Sequence, residues 1–168
     1  LSNDTDQFEA MRWPAMGEVT RITNPITIDH TLLRQYLLPG LFRLLASNRH
    51  HELPQAVYEL GTVVRDHANS DRFAFLVAEQ NGGFAAVRGR IQAIMRDLGA
   101  TDYTIEPLGG KMGPWLTGRS AKVIVDGIHV GCFGEMDPHV GHHYELKVPL
   151  SGAEFDIQEL ERALPDPV

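Results

Sequence analysis

Apolar residues recur at helical spacing in two long stretches of the chain. Residues 35–47 carry leucines three and four positions apart, and residues 84–98 carry one apolar stripe that ends before Gly99. Spacing of this kind predicts an amphipathic helix, and a glycine directly after the stripe is typical of a helix C-terminus. A shorter helix is predicted for residues 158–164.

Strand-like segments lie between these helices. Residues 55–64 are apolar on both faces, which predicts a strand in the centre of its sheet. Residues 67–71 are mostly polar and predict a hairpin loop, after which residues 72–79 are predicted to form a second strand. Further strands are predicted for residues 103–107, 122–125, 128–134 and 153–157.

The dipeptide Asp126-Gly127 separates two of the predicted strands. Asp-Gly suits the two-residue hairpin turn, because both of its positions need positive φ, so we expect a tight hairpin here. The arrangement predicts an α+β fold, a mainly antiparallel sheet flanked by helices. We expect residues 1–168 to form a single domain, with residues 1–18 as an irregular lead-in. Because the first residue is Leu1, we also expect the chain to be a fragment of a longer one.

Four segments carry motifs that are specific when they occur together and in this order. The first is NPIT at residues 24–27 with LLRQYLLPGL at 32–41, and the second is YELGTVV at 58–64. The third is FAAVRG at 84–89. The fourth is the block 118–138, which contains GRSA, the Asp-Gly turn and VGCFGEMDP. In this order the four segments resemble the β chain of archaeal and eukaryotic-type phenylalanyl-tRNA synthetases, although Met136-Asp137 departs from the Leu-His that is usual in that family.

The resemblance implies a class II synthetase-like fold and the C-terminal, catalytic-like domain of the β chain. In that family the α chain activates phenylalanine with ATP and magnesium and transfers it to tRNA. The β domain keeps the fold without catalysing, and supports the α chain in a cytoplasmic (αβ)₂ assembly. The resemblance therefore implies no cofactor in this domain, ATP and magnesium in the complete enzyme, and tRNA contact through that enzyme.

The sequence contains one of the two arginines that amino-acid activation by a class II enzyme requires. Charge that develops on phosphate is stabilised by fixed cations, and class II enzymes use one arginine after the second-motif strand and another in the third motif. Arg65 follows the strand at residues 55–64, but residues 152–156 contain no arginine. We therefore expect no catalytic residue here. Arg65 is then a surface arginine of the hairpin loop or a partner of Asp66 or Asp71.

The helix at residues 35–47 carries more apolar surface than one sheet face requires. Four of its side chains widen the apolar arc and are the predicted subunit interface: Tyr36, Leu38, Phe42 and Leu45. The alternative is that this helix packs only on its own sheet.

Two carboxylates lie in apolar strands. Glu59 and Glu135 would need a partner if they are buried, and Arg34 and Arg119 suit that role. Which arginine pairs with which glutamate stays open.

Composition leaves two further classes of function to test. Histidines cluster at positions 50, 51, 139, 142 and 143, so a stand-alone metal-dependent hydrolase is the alternative function, although no metal site is expected. The formal charge of −7 argues against a free-standing RNA-binding module. No stretch approaches the roughly 20 apolar residues of a membrane-spanning helix, so no membrane contact is expected.

Overall fold

A six-stranded antiparallel sheet forms the centre of the molecule, with strand order β1-β2-β6-β5-β4-β3. The structure is a computed structural model that describes residues 1–110, 112–164 and 166. The strands are β1 (Gln55–Arg65), β2 (Ala68–Ala78), β3 (Tyr103–Pro107), β4 (Trp115–Val125), β5 (Ile128–Met136) and β6 (Leu150–Asp156). The helices are α1 (Leu38–Ser47), α2 (Phe84–Asp97), α3 (Pro138–His143) and α4 (Ile157–Ala163). This confirms the predicted α+β fold with an antiparallel sheet flanked by helices.

The helices divide between the two faces of the sheet. Helices α1 and α3 cover one face, here called the α1 face, and helices α2 and α4 cover the other, here called the α2 face. Strand β2 supplies both hydrophobic cores by simple alternation. Leu76 faces the α1 core, whereas Phe75 and Val77 face the α2 core.

The first residues of the chain belong to the core of the α1 face. Thr5–Glu9 forms one turn of π-helix, and the Met11 side chain that follows is 0% exposed. The side-chain oxygen of Gln7 accepts hydrogen bonds from the backbone N–H groups of Gln35 and Tyr36, at 2.8 and 2.9 Å. The predicted irregular lead-in is therefore a packed element, which its polar composition concealed.

Strand β1 lies at an edge of the sheet and not at its centre, because β2 is the only strand beside it among the residues that the structure describes. Tyr58 and Leu60 on its outer face are 76% and 65% exposed. The prediction of a central strand was wrong because an apolar edge strand has the same sequence pattern as a buried one.

Two hairpins of the sheet have two-residue turns. The first turn is shorter than the predicted loop, and the second turn is as predicted. The turn between β1 and β2 consists of Asp66 and His67, both at positive φ, and the polar residues assigned to a loop continue β2. The turn between β4 and β5 consists of Asp126 at φ 50° and Gly127 at φ 75°. Positive φ at both positions is the type I′ geometry that matches strand twist.

Candidate functional site

Arg65 is held within the α1 face. Its Nε and Nη2 atoms donate to the carbonyl oxygen of Gln35 at 3.1 and 2.8 Å, and its guanidinium lies 5.0 Å from the centre of the Tyr36 ring. Burial lowers the pKa of Arg65 from its ordinary value. Arg65 is thus neither a free loop arginine nor a partner of Asp66 or Asp71.

A buried ion pair lies close to this arginine. Arg72 Nε donates to Glu154 Oε2 at 2.6 Å, and the Glu154 side chain is 1% exposed. The second oxygen, Oε1, accepts the backbone N–H groups of Leu37 and Leu38 at 2.9 and 2.8 Å, so the carboxylate also binds the N-terminus of α1. Carboxylates are favourable at this end of a helix because its free N–H groups carry partial positive charge.

Sequence reasoning missed this pair, although a signal was present. Glu154 lies in the apolar strand β6, and a buried carboxylate requires a cationic or hydrogen-bonding partner. Arg72 stands directly opposite Asp156 in the register of β2 with β6, two residue pairs along from Glu154 and on the same face of the sheet. The choice of Arg72 depends on that register, which the sequence alone does not show.

The junction of β6 and α4 holds its charges in local bonds. Asp156 accepts the backbone N–H of Glu159 at 3.1 Å and so caps α4. Arg162 donates to the Glu159 carboxylate at 2.9 and 2.8 Å. Arg162 therefore forms a local ion pair on α4 and adds no cation to Arg65 and Arg72 on the α1 face.

The four predicted interface residues are buried within the chain itself. Tyr36, Leu38, Phe42 and Leu45 are 4%, 0%, 0% and 1% exposed. The wide apolar arc of α1 is used because the helix is covered twice, by the sheet and by other segments. The Tyr36 ring stacks on Trp13 at 4.0 Å, and the Phe42 ring lies 5.2 Å from Tyr144. The expectation of a free interface on these side chains is therefore corrected: they form core.

The four predicted charged residues form two separate pairs. Arg34 Nη2 lies 2.8 Å from Glu59 Oε1, and Arg119 Nη1 lies 3.2 Å from Glu135 Oε2. Arg34 also donates from Nε to the carbonyl oxygen of Thr62 at 3.1 Å. The first pair therefore lies along the outer edge of β1.

The most exposed apolar surface of the sheet lies at β1 and continues onto the α2 face. Next to Tyr58 and Leu60 is a groove of about 310 Å³. Its lining is apolar except for one glutamate, and consists of Leu60, Phe73, Ile94, Leu98, Phe155, Ile157, Leu160, Glu161 and Leu164. A contiguous exposed apolar surface of this kind is typical of a protein interaction site.

The backbone of β1 is only partly paired along its outer edge. The Val64 N–H donates to the Arg34 carbonyl at 2.9 Å, so the outward-directed groups belong to the even-numbered residues of the strand. The same alternation directs the backbone groups of Ala56, Tyr58 and Leu60 outward. Within the part of the chain that the structure describes, these groups have no backbone partner beyond the sheet. Unpaired edges of this kind are templates for pairing with another strand.

Comparison with known proteins assigns the chain to a family. Residues 2–157 match the family model described as "Phenylalanyl tRNA synthetase beta chain CLM domain". The chain belongs to this family. It is 38% identical over 161 residues to the phenylalanine–tRNA ligase beta subunit of Archaeoglobus fulgidus, covering 94% of this chain and 28% of that protein. Its identity to the corresponding subunit of Methanothrix thermoacetophila is 36% over 157 residues, covering 94% of this chain and 28% of that subunit.

The chain covers only part of the length of its relatives. It spans 28% of the length of these two relatives. Among the described residues, no helix is both long enough and apolar enough to cross a membrane.

The metal-dependent alternative lacks a ligand set. In residues 1–110, 112–164 and 166, no three histidine, cysteine, aspartate or glutamate side chains converge on a point where they could hold a metal ion. The Nδ1 atom of His139 lies 3.1 Å from Asp137 Oδ1, and the His50 ring packs against the His51 ring. Cys132 contacts His129 at 3.4 Å, but burial raises the pKa of its thiol to about 11, so it stays protonated at neutral pH. The hydrolase alternative therefore has no support in this geometry.

Proposed function

We propose that this domain is a non-catalytic scaffold of a phenylalanine–tRNA ligase β subunit, and that it supports a catalytic α subunit in ATP-dependent charging of tRNA. One observation carries the proposal: the α1 face of the sheet is filled by the chain's own core. Arg65 is bound to Gln35 and Tyr36, and Glu154 is bound to Arg72 and the start of α1. The architecture that fits this role is that of a class II synthetase-like domain.

A nucleotide does not fit this face. Stabilising the charge of phosphoryl chemistry needs cations aimed at an open site that substrate can enter. Here the two cations next to the β1–β2 hairpin, Arg65 and Arg72, are bonded to a carbonyl and a buried carboxylate. We therefore assign the binding of ATP and magnesium to the α subunit of the complete enzyme.

The α subunit is proposed to dock on the open half of β1 and the neighbouring groove. Exposed apolar side chains and outward-directed backbone groups coincide there, so a partner can gain both hydrophobic burial and strand pairing. The Arg34–Glu59 pair borders this surface and limits where a partner strand can lie. A heterotetramer with two α and two β subunits, located in the cytoplasm, completes the proposal.

The proposal is tested by placing charge on the docking surface. In the full β chain, Tyr58→Lys with Leu60→Glu should weaken α-subunit association by about thirty-fold, because charge in a desolvated apolar contact costs about 2 kcal/mol. Light scattering of reconstituted mixtures measures the association, and aminoacylation should fall in proportion to assembly.

Ile28→Glu is the matched control. Ile28 is 86% exposed and lies outside β1 and the groove, so its substitution should leave association unchanged. Normal assembly of the folded double variant would contradict the docking surface. Phenylalanine-dependent ATP–pyrophosphate exchange by this domain alone would contradict its non-catalytic role.

A further inference from the structure

Basic side chains gather on one rim of the α1 layer, at the end of the sheet where β1 begins. Two shallow depressions of about 370 and 400 Å³ share Arg49, Glu145 and Lys147 in their linings. His51 completes the first depression and His142 the second. These residues come from the end of α1, the end of α3 and the segment before β6. We call Arg49, His51, His142 and Lys147 the basic rim.

Arg49 and Lys147 of the basic rim are neutralised less completely by carboxylates than an arginine such as Arg21. Arg21 contacts Asp4 at 2.8 Å in a bidentate arrangement, as is common elsewhere on this surface. Arg49 and Glu145 are 3.4 Å apart with side chains 54% and 73% exposed, a contact that contributes little binding energy. Lys147 has no carboxylate within 4 Å among the described residues. The rim therefore carries two permanent cations against one carboxylate, although the whole chain has a formal charge of −7.

The histidines add hydrogen-bond donors to this local charge. His51 and His142 are exposed, and a neutral imidazole ring still offers one N–H group. The His50 ring lies beside the His51 ring, with 4.5 Å between ring centres and a tilt of 35° between their planes, and His143 follows His142 at the end of α3. The rim thus presents cations and neutral donors on an open, shallow surface. That combination suits an extended chain of phosphates better than a small enclosed ligand.

We propose that the basic rim binds the phosphodiester backbone of tRNA. The inference rests on the proposed function, because membership of a tRNA ligase is what brings tRNA to this surface. Lys147 and Arg49 contact phosphate oxygens, and the imidazole N–H groups of His51 and His142 donate to neighbouring ones. Contacts of this kind position an RNA without reading its bases. The domain therefore contributes to where tRNA lies on the enzyme and not to which tRNA is chosen.

The test removes both permanent cations by Arg49→Gln with Lys147→Gln in the full β chain. Binding of a tRNA transcript is followed by fluorescence polarisation at several salt concentrations, with the β chain alone and with the reconstituted complex. Each phosphate contact contributes roughly 0.7 to 0.9 to the slope of log affinity against log salt. The double variant should therefore bind tRNA roughly ten-fold more weakly, with a slope smaller by about 1.5.

Two single variants serve as controls: one should tighten tRNA binding and the other should leave it unchanged. Glu145→Gln removes the one carboxylate of the rim and should tighten tRNA binding. Arg88→Gln removes the same charge from an exposed position on α2, on the other side of the sheet, and should change neither affinity nor slope. Circular dichroism and unfolding curves verify that every variant is folded.

Three results would overturn the basic rim. The first is wild-type tRNA affinity and salt slope in the folded double variant. The second is an equal loss of tRNA affinity in Arg88→Gln. The third is a double variant that loses affinity for inorganic phosphate but not for tRNA. α-subunit association of the same variants separates the two proposals. If the double variant assembles normally but binds tRNA weakly, both stand, and if the wild-type chain binds tRNA through the rim without associating with α, only the scaffold role fails.

Discussion

The two faces of the sheet solve the problem of burial in different ways. The α1 face contains polar groups that are fully bonded, including Gln7 against the backbone of Gln35 and Glu154 against Arg72. The α2 face is apolar almost throughout and ends in an open groove beside Leu60. Bonded polar groups fix one arrangement of a core, since any other leaves them unpaired. An open apolar edge instead remains free to accept another protein. One side of the sheet is therefore closed by bonded polar groups, and the opposite side keeps an open apolar edge.

The largest expected effect is loss of the carboxylate that closes the α1 face. Glu154→Ala should reduce the free energy of unfolding by about 3 kcal/mol, because it leaves the buried Arg72 guanidinium with only its longer, 3.5 Å contact to Asp156 and frees two N–H groups of α1. Urea denaturation monitored by circular dichroism measures this change. Glu154→Gln keeps an acceptor and should cost less. Equal stability of the wild type and the Ala variant would show that the ion pair is not buried.

A smaller effect contrasts the two faces directly. Leu38→Ala should cost about 2 to 5 kcal/mol, since Leu38 is fully buried under the lead-in and sheet. Leu60→Ala, which removes the same atoms from the exposed edge of β1, should change stability by less than about 0.5 kcal/mol. Thermal unfolding of the two variants side by side gives the difference. Similar losses for both would mean that the edge of β1 is covered within the isolated chain.

The smallest effect concerns a turn that belongs to neither core. Gly127→Val should destabilise the domain by about 1 kcal/mol or more, because a β-branched residue is strained at φ 75°. Gly89→Val is the helical control: it lies in α2 with nothing within 4 Å of an added Cβ, and its φ is not positive. The melting temperatures of both variants are the measurement. An unaltered melting temperature for Gly127→Val would mean that the turn has another geometry.

Local signals predicted the elements whose structure depends on neighbours in sequence. The apolar stripe of α2, the short strand β3 and the Asp126-Gly127 turn follow from spacing and turn chemistry alone. The sheet position of β1 was missed because alternation tells whether side chains are apolar, not how many strands flank them. The burial of Tyr36 was missed because its cover, Trp13, comes from a segment without helical or strand periodicity.

The partners of charged side chains were the least predictable part of the candidate site. Arg34 and Glu59 were recognised as candidates by type, yet only the chain path before α1 brings them to 2.8 Å. Arg65 was assigned to a loop because the predicted strand ended at residue 64, whereas β1 continues to Arg65. The exposed groove beside Leu60 needs two helices and three strands to be in position before it exists. Such features depend on tertiary structure and have no local signature.

The position of β6 in the sheet governs the order in which the domain can be completed during synthesis. β6 is the last strand made, yet it lies between β2 and β5 and joins the β1–β2 hairpin to the β5–β4–β3 half. Until Leu150–Asp156 has left the ribosome, the two halves have no common strand, and α1 lacks the carboxylate that binds its first N–H groups. Contacts between residues distant in sequence form slowly, because a long loop must close first. A nascent chain of this domain therefore waits with both halves exposed, and it becomes a single sheet only with its final strand.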